Sequence, residues 1–271
     1  MQANEIFTFP KENQTELAKS AIKNHFCRFL EARCNKQSRT IPYPMGVCSI
    51  LHQNYKSIIC PHRFLENNLV FSQVCEEIWG STNNTLLFSE VKVQNVGSFD
   101  FILVKHKPLS NKVEDFCIVE FQSDSTTGTG QLVEALKDFM QNKDLREKYS
   151  FGLNTYNTIK LSYIQMLVKG QVMEKWNKHI VWIMQEYIYE NMINRFSLKE
   201  MEYDFQKYNK YFLYDLEREE GVDILTLKGK RASTVANLLK AFTHQPTPNL
   251  DEFIEILESK IRLQVGLKVA M

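Results

Sequence analysis

The chain has 271 residues, 44% hydrophobic and 24% charged, which suffices to bury a sizeable core as one large domain or a main domain with an appendage. The first residues, MQANEIFTFPKENQ, lack a basic stretch followed by an apolar run, and later apolar segments such as IVWIM fall far short of a membrane span; a cytoplasmic address without membrane contact is the expectation. The net charge of +1 neither demands nor excludes nucleic acid, because acidic metal ligands and basic phosphate contacts cancel.

Residues 12–32 place Leu17, Ala21, Ile22, Phe26, Phe29 and Leu30 at a helical period, and polar, cysteine-bearing loops follow. The same spacing over residues 63–79 predicts a second helix, stopped by Gly80. Three strand-like runs come next, TLLFSEVKV, SFDFILVKH and DFCIVEFQS, expected to form two hairpins. QLVEALKDFMQNKDL reads as a helix entered through TTGTG, and NTIKLSYIQMLVKG as another closed by Gly170. HIVWIMQEY predicts a buried strand paired with the third strand across these helices. SLKEMEYDFQKYNKYFLYDLE and DEFIEILESKIRLQVGL read as mostly helical. Between Lys143 and Lys178 seven basic residues (Lys143, Arg146, Lys148, Lys160, Lys169, Lys175, Lys178) face three acids (Asp144, Glu147, Glu174), a pattern that a solvated helical face also produces.

Chemistry concentrates in the second and third strands. Alternation in FCIVEFQS puts Val119 and Phe121 on one face and Glu120 and Gln122 on the other. A carboxylate within a half-buried sheet is costly unless paired or holding a cation, and Asp100, between Phe99 and Phe101, poses the same question one strand earlier. If the strands pair, Asp100 and Glu120 converge on one hard divalent cation, with Gln122 completing the arrangement or orienting water. Such a cluster suits metal-assisted phosphodiester hydrolysis; a solvent-facing pair of acids on an edge hairpin is the blander account.

This constellation resembles the PD-(D/E)XK nuclease fold, in which an acid on the second core strand and acid-x-Lys on the third bind the metal. Gln122 stands where the lysine would, a variation that matches NotI-like type II restriction enzymes, as do GVCSI, IICPHRFLEN, IVEFQS and NTIKLSYIQML. The resemblance spans about residues 25–185, and Phe99 replaces the proline of the fold's name. It implies an α/β (α+β) restriction-endonuclease-like core, a mixed central sheet flanked by helices, behind an N-terminal cysteine-rich metal-binding region. The division expected is 1–80 for that region and 81–271 for the endonuclease core with a helical C-terminal part. The implied activity is site-specific cleavage of double-stranded DNA with Mg2+, by a homodimer within a restriction-modification system. Glu90 enters as a further acid near the metal, or as a surface residue paired with Lys92, and Lys160 as a candidate for the missing cation. A repair or recombination nuclease of the same fold and a non-catalytic DNA-binding module are the alternatives.

Cys27, Cys34, Cys48 and Cys60 are separated by 6, 13 and 11 residues, without a tight CxxC pair. The resemblance implies that these four hold iron or zinc; His25, His52 and His62 lie close enough in sequence to replace a ligand. Cys75 and Cys117 read as core thiols.

Overall fold

The computed structural model describes residues 2–52, 55–143, 149–198, 201–245 and 247–263. An N-terminal antiparallel sheet is built from β1 (Gln2–Ile6), β2 (Phe9–Pro10), β5 (Val47–His52) and β6 (Tyr55–Ile58) in the order β2-β1-β5-β6. Between its strands lie α1 (Glu16–Asn24) and a small ladder of β3 (Phe26–Cys27) with β4 (Ala32–Arg33). Thr15 caps α1 through its hydroxyl, which accepts from Ala18 N at 3.3 Å. The helix expected to reach residue 32 stops at Asn24, because His25 turns into the left-handed region (φ 52°) and closes the last turn with its own N–H.

The helix expected over residues 63–79 is broken as well. A 3-10 segment, Pro61–Asn68, leaves helical geometry at Glu66 and Asn67, and α2 (Leu69–Trp79) starts afresh after it. The break lets the Glu66 carboxylate reach Arg63 Nη1 (2.8 Å) and Leu225 N (2.7 Å), both buried. Gly80 ends α2 at φ 68° with its N–H on Glu76 O, as its sequence position predicts.

The main sheet follows: β7 (Thr85–Val93), β8 (Gly97–His106) and β9 (Val113–Gln122) form an antiparallel meander. After β9 come β10 (Thr126–Thr127), α3 (Thr129–Met140), β11 (Gly152–Leu153) and α4 (Thr155–Trp176). Then β12 (Ile180–Gln185) pairs parallel with β9, the predicted crossover. α5 (Glu186–Arg195) leads to β13 (Asn209–Glu219), parallel to β12, and β14 (Val222–Ser233) returns antiparallel beside it. α6 (Val235–Thr243) and α7 (Leu250–Arg262) finish the described chain. The result is a mixed six-stranded sheet, ordered β14-β13-β12-β9-β8-β7, flanked by helices. On one face α4, α5 and α6 pack over Ile118, Trp182, Met184 and Tyr211; on the other Phe64 and α2 cover Cys117, Val119, Ile183 and Phe212.

Two expectations fail together, at β13 and the hairpin it begins. The segment from residue 197, expected to be helical, contains β13, and the supposedly helical C-terminal part contributes the long β13–β14 hairpin. A strand buried on both faces carries a continuous apolar run, YFLY here, and loses the alternation that identifies strands. Gly170 does not close α4, which runs on to Trp176. A Cβ at Gly170 would lie 2.3 Å from Asn209 Oδ1, so the glycine lets β13 approach the helix. Asp144, Arg146, Glu147 and Lys148 lie outside the described residues, as do the last four of DEFIEILESKIRLQVGL.

The N-terminal sheet shares a core with α3, whose Leu132, Val133 and Leu136 pack against Ile6, Val47 and Ile50. It is also pinned to the main sheet through buried charge. Arg63 Nε bonds Glu5 (3.1 Å) and its Nη2 bonds Asp223 O (2.7 Å), while Asn4 Nδ2 and Lys56 Nζ reach the Asp223 carboxylate at 2.7 and 2.6 Å. Among the described residues no helix is long and apolar enough to cross a membrane.

Candidate active site and thiol cluster

The β8–β9 ladder pairs Phe101 with Val119, and at that end side chains take over from the backbone. Asp100 Oδ2 accepts from Phe121 N at 2.9 Å, and Asp100 N donates to Glu120 Oε1 at 3.3 Å. The two acids therefore stand side by side, as the expected hairpin requires. Burial pushes the Asp100 carboxyl up, with Phe121 N–H and Lys169 pulling against it. Glu120, 1% exposed, is pushed up to about 7 by burial first and the neighbouring Asp100 second, despite an opposing cation.

That cation is Lys169. Its Nζ lies 2.6 Å from Glu120 Oε2 and 5.5 Å from the Phe99 ring centre, and the residue is 6% exposed. Seven residues earlier on α4, Ser162 Oγ lies within hydrogen-bond distance of both Gln122 Oε1 and Thr158 O, which share its single proton. Residues i and i+7 share a helix face, so α4 addresses the polar face of β9 at two points. Lys160 does not take part: it is exposed, over the Tyr156 ring at 5.3 Å. In the sequence Lys169 is one member of a basic run; the signal that marks it is the Ser162-x6-Lys169 spacing on the helix face that also carries Ile159, Tyr163 and Met166.

Glu90 occupies a left-handed backbone conformation (φ 55°) within β7, between the pairs Ser89–Phe101 and Val91–Phe99, and so stands opposite Asp100. A non-glycine residue there costs about 1–2 kcal/mol. Glu90 is exposed and its charge contributes to the upward push on Asp100. Both acids line a cleft of about 420 Å³ shared with Leu30, His62, Leu65 and Ser123. Asp124, two residues beyond Gln122, is buried and already engaged by Thr155, Thr158, Tyr187 and Ser125 N, tying the end of β9 to α4 and α5. Glu114 and Asp115 lie at the start of β9; Asp115 is bonded to Trp79 Nε1 and Lys178 Nζ, whereas Glu114 is exposed.

The family model described as restriction endonuclease NotI matches residues 13–225, well over half of the chain. The chain belongs to the NotI restriction endonuclease family. No significant match appears among curated proteins. The matched span includes Glu90, Asp100, Glu120, Gln122, Lys169 and all four N-terminal cysteines of this NotI-family chain. It also takes in β13, beyond the reach of the resemblance read from motifs, and stops within β14. Family membership makes it a restriction endonuclease, hence a nuclease that binds DNA.

In this NotI-family chain Cys27, Cys34, Cys48 and Cys60 are buried free thiols lining one cavity of about 10 Å³, together with Thr8, Lys36 and His62. β3, β5 and the entry to the 3-10 segment bring them there. Burial, followed by neighbouring thiols, pushes Cys48 far up; burial also raises Cys27 and Cys34. His62 Nδ1 lies 3.8 Å from Cys60 Sγ, while His25 stacks between Phe7 and Tyr43 away from the cavity lining. Among the described residues no three His, Cys, Asp or Glu side chains are drawn closely enough to hold an ion as they stand. Cys75 and Cys117 sit in the core between the sheet and α2.

Proposed function

We propose that this chain is a type II enzyme that cuts double-stranded DNA at defined sites through a PD-(D/E)XK-type core, with Mg2+ held by Asp100 and Glu120 and with Gln122 and Glu90 beside them. The observation that carries the reading is the adjacency of Glu120 to Asp100, itself a lining residue of a cleft, in a chain of this family. The donors suit the ion: hard carboxylate oxygens, both raised first by burial, Glu120 then by Asp100 and Asp100 also by Glu90, are two acids with one lysine between them, and a divalent cation supplies further positive charge. When bound, the cation would activate water and neutralise phosphate charge. The chain's own part is to orient: Ser162 fixes the Gln122 amide, and the Phe121 N–H holds one Asp100 oxygen.

The four-cysteine cluster is proposed to hold one iron or zinc ion. Four thiols converging on a cavity of ionic size, with the buried Thr8 hydroxyl unpartnered at its edge, support this. Residues 1–80 are then a metal-organised region in front of the core formed by residues 81–271. A homodimer, with one active site per strand, completes the proposal. α7 supports it: the helix buries none of its residues and exposes Phe253, Ile254, Leu257 and Ile261 along one stripe. Its first turn is acidic (Asp251, Glu252) and its last basic (Lys260, Arg262), so a second copy laid antiparallel matches both charge and apolar face. Digestion of a sequenced phage genome tests the function: fragments of defined size with magnesium, and none in EDTA, are expected. Random degradation or cleavage in EDTA would refute it.

A further inference from the structure

The buried face of α4 carries three polar side chains among its apolar ones: Thr158, which bonds Asp124, and Ser162 and Lys169, which contact the candidate site. Lys169 reaches a carboxylate that is itself beside a second one, so two acids share a single ammonium. A buried lysine loses hydration and about 2 kcal/mol of side-chain freedom, and such a residue persists where its charge is required. The charge is required here because Asp100 and Glu120 would otherwise repel one another in a poorly solvated strand end.

Resting on the reading of Asp100 and Glu120 as cation ligands, we propose that Lys169 is a positioning residue that acts as an internal stand-in for the divalent cation. Its ammonium holds Glu120 aimed and charge-balanced in the metal-free chain, and the arriving cation must compete with it. The affinity for metal is thereby held down, and the site stays ordered when empty. No bond is made or broken; the exchange is one counter-charge for another.

The test uses the full chain, without DNA, and Mn2+ as the probe. Lys169→Met removes the charge, and Lys169→Gln removes it while keeping a hydrogen-bond donor, in case the first variant does not fold. Calorimetry is expected to show Mn2+ binding at least about tenfold tighter in both, since a unit charge a few ångströms from a divalent ion repels it strongly even at the higher effective dielectric of proteins. Both variants are expected to melt below the wild type in EDTA, and saturating Mn2+ is expected to close that gap. Unchanged or weaker Mn2+ affinity, or a melting gap that persists in Mn2+, would make Lys169 an ordinary structural partner and overturn the proposal. If neither variant folds, lysine carbon resonances of the wild type take over: one buried lysine signal must move on adding Mg2+ and stay still in Glu120→Gln. Failure of the parent reading is separate, because Glu120→Ala would then still cut DNA; if it does not cut while the Lys169 results fail, only the stand-in role is lost.

Discussion

Glu120→Ala does two things at once, and they can be measured apart. It removes a proposed cation ligand, so DNA cleavage in magnesium should vanish. It also strands Lys169, because the paired side chains are only 1% and 8% exposed. Breaking a buried pair by deleting one partner costs about 3–5 kcal/mol. Two effects reduce this: the burial of Glu120 is itself unfavourable, and the lysine stem can draw its head toward solvent. A net loss of about 2 kcal/mol follows, which at about 2–4 °C per kcal/mol for a chain of this size lowers the melting temperature by about 4–8 °C. Asp100→Ala should also abolish cleavage but lose only the bond from Phe121 N, about 1 kcal/mol, partly repaid by relief of the repulsion with Glu120. From sequence alone the two substitutions appear equivalent and harmless to folding; the ion pair separates them. Scanning calorimetry in EDTA beside plasmid cleavage in magnesium decides the matter. Equal melting temperatures for the two variants would refute the energetic argument, and cleavage by either would refute the site.

The pH dependence has a defined sign: Glu120 titrates at about 7 when folded against an ordinary 4.5, so between those values the folded chain holds a proton that the unfolded chain has released. Stability in EDTA should therefore fall as pH rises from 4.5 to 7, and the magnesium needed for half-maximal cleavage should fall over the same window; flat profiles in both would contradict the assignment. Elemental analysis should find about one iron or zinc per chain, and Cys48→Ser or Cys60→Ser should lower the melting temperature more than Cys117→Ser; equal shifts would argue against coordination. Leu257→Glu on α7 should turn a dimer into a monomer in sedimentation, and an unaltered mass would remove that surface from the interface. Gly170→Ala should destabilise by about 1–3 kcal/mol, since its Cβ has no room beside Asn209; a neutral result in chemical denaturation would contradict the close approach. For cleavage assays Glu114 is a suitable neutral control, whereas Asp115 is not, because it binds Trp79 and Lys178.

The meander of β7, β8 and β9, the α4 crossover and the return through β12 were legible because each announces itself locally, by aromatic and β-branched runs between turn residues or by helical spacing. Asp100, Glu120 and Gln122 were legible as candidates for a related reason: charge inside an apolar strand is conspicuous. Lys169 was not, since a lysine among helical lysines reads as a solvated face until the helix is docked and its burial known. β13 was lost because burial on both faces erases alternation, and α1 was overextended because the left-handed turn at His25 needs no glycine. The break at Glu66 was equally hidden, since its cause is a carboxylate drawn toward Arg63 and a strand more than 150 residues later.

The charge cluster around Asp223 bears on how the molecule comes to exist. Asn4, Lys56 and Arg63 each find a partner on Asp223, which is synthesised 219, 167 and 160 residues after them. Until β14 arrives, Arg63 has its acidic neighbours but lacks the Asp223 carbonyl, and Asn4 and Lys56 lack their carboxylate. Contacts this distant in sequence close late and slowly. Nascent chains thus keep the N-terminal sheet unanchored while β7, β8 and β9 are already available to pair. The cleft draws its walls from both regions, between Leu30 and Ser123, so its two sides are set by how the N-terminal sheet is anchored. In a restriction endonuclease whose cleft has one wall from each region, a chain without β14 would keep its cleft residues but lose the Asp223 anchor of the N-terminal wall.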